Sequence, residues 1–295
     1  MSASVQNSGH RGTATTPDHE PDCSARAPDL GLFGPDSVSW RVHREPILWL
    51  AGLRALYLQA LHPRAVAGVV QNSDFRRDCW TRLMRTAEYV TTVVYGTTDD
   101  AQRAAERIRR IHDALRAHDP ETGEEYRVDE PHLLRWVHVN EVESFLSTAQ
   151  RAGVRLSDDE VDRYYTEQLR AAELVGLDPA IVPASAAEVD EYYRTIRPEL
   201  ALTPAARDVA LFLTVPPMPR KLSWTIGRPA WLTVAGTAFA LLPRWARRLY
   251  RTPGFPTTDL SATLTIRGMR GVISALPIRE GPIYREAMRR AELGA

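Results

Sequence analysis

The sequence predicts an all-α fold, a single multi-helix domain, on three observations. Apolar residues recur at three- and four-residue spacing through most of the chain beyond residue 36, the period of one helical face. No segment alternates apolar and polar residues as a half-buried strand would. The breaks between periodic segments carry Pro, Gly, Ser and Asp where helix ends need them.

A first long helix is expected over residues 45–61, stopped by His62-Pro63. A second covers about residues 75–95 and ends at Gly96, a natural C-cap residue. Asp99 or Asp100 then caps a third, running to about Ala117 ahead of the loop Asp119-Pro-Glu-Thr-Gly. A fourth runs from Pro131 to Gly153, and Ser157 with Glu160 has the capping-box spacing that opens a fifth. Shorter helices follow near 185–197 and 204–214. The segment Val215-Pro-Pro-Met-Pro219 turns a corner, and two or three further helices close the chain. Residues 1–35 are polar and rich in Ser, Thr, Pro, Asp and Gly. Without the apolar centre of a signal peptide they read as a disordered tail, and residues 36–291 as one domain.

Composition excludes several function classes. With 37 basic and 37 acidic residues the formal charge is zero, so no net basic footprint for nucleic acid exists. Two cysteines, Cys23 and Cys79, are too few for a disulfide scaffold or a thiolate metal site. Lys221 is the only lysine. Schiff-base or phosphate-gripping lysine chemistry would have to use it, outside any glycine-rich loop. The sequences His-Glu-x-x-His, Gly-x-Ser-x-Gly and Gly-x-Gly-x-x-Gly are absent, against zinc protease, serine hydrolase and dinucleotide-binding readings. The most hydrophobic stretch, residues 230–242, is too short to cross a bilayer and fits a core helix or one dipping into a surface. A cytoplasmic, soluble protein is the expectation, with no transmembrane segment and peripheral membrane contact left open.

Two helices carry polar side chains toward an expected core. On the third helix Ala104, Ala105, Ile108, Ile111, His112 and Leu115 share one arc, so His112 faces inward. A core imidazole is either satisfied by a nearby carbonyl or carboxylate or ligates a metal, as the proximal ligand of haem iron does. On the second helix Arg82, Thr86, Tyr89 and Val93 share a face bordered by Val90 and Val94. An arginine buried there needs a carboxylate or a haem propionate, and its planar fork suits either. His138 and Glu141 lie one turn apart and read as a hydrogen-bonded structural pair. This is the reverse of the Glu-x-x-His order of di-iron bundles. His62 reads as a helix-end residue with reach toward a pocket.

Taken together the chain resembles the family that joins latex-clearing rubber oxygenases to the fungal MpaB oxygenases. The resemblance covers roughly residues 38–275. It rests on Leu61-His62-Pro63 with Gly68-Val69 and Ser73-Asp-Phe75, then Arg82-x-x-Arg85-Thr86, Gly96 and Ile111-His112-x-x-Leu115. Tyr126, Glu130-Pro131-x-Leu133-Leu134-x-Trp136-Val137-His138 and Tyr164-Tyr165 complete it. The resemblance implies an all-helical fold holding one b-type haem, with His112 as axial iron ligand and Arg82 and Thr86 in the haem environment. It implies dioxygen chemistry on a small lipophilic, isoprenoid-like substrate.

Two departures narrow the expectation. Rubber oxygenases carry a lysine where this chain has Arg85, and a guanidinium has no lone pair for iron. They also use an upstream glutamate as base, whereas residues 46–85 here offer only Asp74 and Asp78 as acids, both explained by a helix start. The sequence therefore predicts a haem b-dependent oxygenase that does not act on rubber. Arg85, His62 and His138 are the candidate catalytic or second-layer residues. The alternative is a non-catalytic helical haem- or lipid-binding protein.

Overall fold

Helix ends are where this sequence speaks most plainly, and the architecture follows from them. The computed structural model describes residues 28–74, 76–218, 227–277 and 280–294. Residues 1–27, Phe75 and Lys221, and with them most of the expected tail, lie outside the described residues. The expected first helix is two elements, α1 (Val38–His43) and α2 (Trp49–Gln59), separated by a turn at Glu45-Pro46. Pro63 does more than stop α2. It occupies the first position of α3 (Pro63–Asn72), where its missing N–H is harmless, and His62 is the N-cap. α4 (Cys79–Tyr95) starts later than expected and ends at Gly96 as expected.

α5 (Thr98–Ala114) is capped by Thr97 rather than by Asp99 or Asp100. Asp100 is instead the acid of the capping box, its carboxylate accepting from the Thr97 backbone. α5 also ends before Ala117, because residues 116–118 form a strand. β1 (Arg116–His118) pairs antiparallel with β2 (Glu125–Arg127) across the Asp119–Gly123 turn, Ala117 opposite Tyr126. A three-residue strand is too short to show a period in sequence. α6 (Pro131–Ala152) has Pro131 at its first position and stops at Gly153, whose φ of 118° only glycine adopts readily. α7 (Asp158–Leu174) opens on the expected Ser157–Glu160 box. α8 (Ala186–Ile196), α9 (Pro204–Thr214), α10 (Gly227–Ala240), α11 (Arg244–Leu249), α12 (Pro256–Ala275) and α13 (Pro282–Gly294) follow.

The core forms around α2 and α6, the most extensively packed pair, with α10, α12, α1 and α7 closing over them. Leu50, Leu53, Tyr57 and Leu58 of α2 meet Trp136, Val139 and Leu146 of α6, all buried. Each such side chain contributes roughly 1.5–3 kcal/mol on removal from water. One charged pair crosses this apolar interface. Arg54 of α2 is 1% exposed, and its guanidinium is fully engaged: Nη1 and Nη2 donate to Glu143 at 2.5 and 3.0 Å, Nη1 to Ser144 Oγ at 2.6 Å, and Nε to the Leu241 carbonyl at 3.0 Å. The residue 230–242 stretch has one face in the core, with Ala235, Thr237, Ala238, Leu241 and Leu242 buried, while Ala230, Leu232, Thr233 and Gly236 are exposed. Among the described residues no helix is long and apolar enough to cross a membrane.

Candidate functional site

α4, α5 and α6 converge around Tyr89. The phenol is half-buried on α4 and feels the charges of both Arg109 on α5 and Glu141 on α6; burial pushes its pKa up. The inward face expected of α4 is only partly covered. Val93 is buried, Arg82 and Tyr89 are half-buried, and Thr86 and Arg85 are exposed. The Thr86 hydroxyl donates to the Arg82 carbonyl one turn back, at 3.0 Å. Neither the Arg82 nor the Arg85 guanidinium makes a hydrogen bond or ion pair among the described residues. Among the described residues no carboxylate pairs with Arg82.

His112 lies in the last turn of α5 and is half-buried, while Ile111 beside it is exposed and Ala105 buried. Its arc is thus half open rather than filled. Burial lowers the imidazole pKa, and the charge of Asp129 opposes that only in part. No hydrogen bond reaches either ring nitrogen among the described residues. A neutral imidazole with an uncommitted lone pair is the form that ligates metal.

α6 contributes the acid that the sequence reading assigned elsewhere. Glu141 and His138 make no hydrogen bond to each other, contrary to the expected pair, because they face different neighbours. His138 is buried and borders a water-sized cavity with Tyr165, Gln168 and Val182; burial depresses its pKa to about 4. Glu141 is enclosed by protein yet keeps accessible surface, makes no hydrogen bond, and is pushed by desolvation up to about 7. One turn on, Phe145 packs on the His43 ring at 4.7 Å, and His43 Nε2 lies 3.3 Å from the Tyr164 hydroxyl. His43 too is enclosed, partly accessible, and held near a pKa of about 3 by burial. Neither His43 nor Glu141 was singled out from sequence as a site residue. The only signal was the helical spacing that sets Glu141 and Phe145 on one face of α6.

His62 stands elsewhere. Buried as the N-cap of α3, it accepts from Ala65 N–H at 3.4 Å through Nδ1 and faces His132 and Glu199. Burial, with His132 and Arg64 adding to it and Glu199 opposing, holds its pKa at about 4. A separate open cleft of about 250 Å³, lined by Leu211, Thr214, Phe239 and Tyr250 among others, contains none of the expected site residues.

The half-buried His112 imidazole on α5 and the Arg82 and Arg85 guanidiniums on α4, which have no ion-pair partner among the described residues, offer a lone pair for a metal and cationic forks for carboxylates. Comparison with known proteins bears on this arrangement. The family described as ER-bound oxygenase mpaB/B'/Rubber oxygenase, catalytic domain, matches residues 40–275. No curated protein and no solved structure matches the chain. The family match takes in α2 through α12, and with them His43, Arg82, Arg85, His112 and Glu141. The chain belongs to the mpaB and rubber oxygenase catalytic-domain family, a family of oxygenases.

Proposed function

We propose that the protein is a haem b-dependent oxygenase acting on a small lipophilic, isoprenoid-like substrate. One observation carries the reading: among the described residues His112 presents a desolvated imidazole without a hydrogen-bond partner, and Arg82 on the neighbouring helix has no carboxylate. Polar groups withdrawn from water are normally paired. Here the missing partners match the iron and the propionates of haem, so the residues present fit the group. When bound, haem supplies the redox chemistry that turns dioxygen on a carbon–carbon double bond.

The chain supplies the rest. His112 would offer an imidazole lone pair to the iron, kept free of a proton by burial. Arg82 would hold a propionate through its planar fork. Arg85 stays protonated and cannot reach iron as a ligand, so it binds a second propionate or an acidic group on the substrate. Thr86 keeps its oxygen lone pairs available while its proton is engaged with the Arg82 carbonyl. Glu141 holds and releases a proton near neutrality, which suits it to proton transfer. It stands in for the upstream acid that the chain lacks. Phe145 and His43 exclude water and favour an apolar substrate. His62 and His138 have no part in this assignment, since each faces a different cavity or cluster. The exposed apolar row Leu260, Leu264 and Val272 on α12 suits peripheral contact with a lipid surface.

The test is spectroscopic first. The purified protein, or the protein reconstituted with haem, is expected to show a Soret band, and His112→Ala to lose it or shift it to a form lacking the imidazole ligand. A wild-type protein that stays featureless after reconstitution removes the proposal. Oxygen uptake with a reductant and candidate isoprenoids then separates an oxygenase from a haem carrier, which consumes none.

A further inference from the structure

Three residues far apart in sequence, His62, His132 and Glu199, meet at one place on the molecule. Their ligand atoms all lie within 4.8 Å of one another. His132 Nε2 is 2.7 Å and His62 Nε2 3.7 Å from the same carboxylate oxygen, Glu199 Oε2. The rings of the two histidines are 5.6 Å apart, and Trp136 backs His62 at 6.1 Å. His62 is only 3% exposed, and its Nε2 is buried with no hydrogen-bond partner. The nearby Tyr192 hydroxyl is buried, and the Arg135 guanidinium over its ring, 5.0 Å from the centroid, acts on it more strongly than the charge of Glu199. A buried Nε2 without a hydrogen-bond partner, 3.7 Å from a carboxylate oxygen, is out of keeping with a cluster that is complete by itself.

We infer that His62, His132 and Glu199 form a binding site for a borderline divalent transition ion of the Zn²⁺ class. Two imidazoles and one carboxylate are a donor set such ions favour and that Ca²⁺ or Mg²⁺ does not. Tetrahedral binding at bond lengths of about 2.0–2.2 Å places ligand atoms roughly 3.4 Å apart. The 3.7 Å separation is close to that, and the 2.7 Å contact opens by a small rotation of the half-exposed Glu199 carboxylate. The exposed side of His132 and Glu199 leaves a fourth position to water, with the Tyr192 hydroxyl available to orient that water or the carboxylate. Ligation through Nε2 moves the His62 proton to Nδ1, giving up the long 3.4 Å contact from Ala65 N–H. One long cap contact is small beside a metal–imidazole bond. The nearby Arg64 does not repel the ion with a bare charge, being paired with Glu130 at 2.8 Å and Asp119 at 3.5 Å.

The three ligands come from three element ends: the N-cap of α3, the first turn of α6, and the 3₁₀ turn Arg197–Glu199 that follows α8. A bound ion therefore staples these ends together. The experiment titrates the full-length, chelator-stripped protein with Co²⁺, read by ligand-field absorption, and with Zn²⁺, read by calorimetry and thermal melting. One equivalent is expected to bind, with tetrahedral Co²⁺ bands and a saturable rise in melting temperature on Zn²⁺ addition. His132→Ala and Glu199→Gln, both at partly exposed side chains, are expected each to weaken binding by more than about tenfold. Neither is expected to change the Soret band of haem-loaded protein, which keeps this result apart from the haem reading. Absence of tetrahedral Co²⁺ bands, or binding that both variants leave unchanged, overturns the assignment.

Discussion

Glu141 shows how a single residue acquires a function its neighbours in sequence do not announce. Its carboxyl, ordinarily ionised below pH 5, is raised to about 7 by desolvation. The folded protein then holds this proton more tightly than the unfolded chain. The resulting stabilisation is fully present below the unfolded value near 4.5 and disappears as pH climbs through about 7. Above that, the folded state carries a buried charge costing about 3 kcal/mol. Glu141→Gln is expected to melt higher than wild type at pH 8 by an amount reflecting that cost, with the two curves converging near pH 4.5. The same variant is expected to lose the inflection near pH 7 in oxygenation rate. Equal melting temperatures for the two proteins at pH 8 would refute the assignment. A helical wheel sets the direction of His112 and Arg82, and both are half-buried. Glu141 was not legible in this way, because its pKa depends on the burial that tertiary packing brings. His62 was a candidate from sequence, but its meeting with His132 and Glu199 was illegible, since spacings of that length carry no ligand signature.

At the level of elements, the sequence marks helix ends more surely than helix extents. Gly96, Gly153 and the Ser157–Glu160 box act as read. The misreadings have local causes: Pro63 starts a helix as well as stopping one, and Thr97 outcompetes the two aspartates behind it as N-cap. That cap matters because α5 carries His112. Thr97 Oγ1 accepts from Asp100 N–H at 3.1 Å, and the Asp100 carboxylate accepts in return from Thr97 N–H at 3.3 Å and from the Thr97 hydroxyl at 2.7 Å. Asp29 adds to the same helix start, accepting from Thr98 N–H at 2.8 Å. Thr97→Ala removes the hydroxyl and is expected to destabilise the protein by about 1 kcal/mol, within the 0.5–2 kcal/mol range of such caps. Chemical denaturation reads that loss. Haem affinity is expected to change little, since the His112 end of α5 lies at the opposite terminus. A Soret band lost along with the cap would mean that α5 is not independently anchored by its packing on α4 and α7.

For the molecule as a whole, the all-helical class was legible because patterning decides it, while the way the core is keyed was not. The α2–α6 interface is largely apolar, and the one charge of α2 buried in it is Arg54, whose direction the sequence gives no reason to single out. Its bonds tie α2 to α6 and to the end of α10 at once. Nearby charge raises its pKa against the pull of desolvation, Glu143 being the main partner. A buried ion pair contributes little net stability over an apolar pair of the same shape, but losing one half of it leaves the other charge stranded. Arg54→Met is therefore expected to cost about 3–5 kcal/mol, a large fraction of the roughly 5–15 kcal/mol that holds a typical domain together. Arg54→Lys should rescue little, because an ammonium cannot reach Glu143, Ser144 and Leu241 together. Adding Glu143→Leu to Arg54→Met removes the stranded carboxylate and is expected to recover much of the loss. Recovery stays partial, since Ser144 Oγ and the Leu241 carbonyl still lack their donor. Unfolding in urea of the four proteins of this cycle, at one pH, measures the coupling directly. If the double variant is no more stable than Arg54→Met, the cost lies in lost packing between α2 and α6 rather than in the stranded charge.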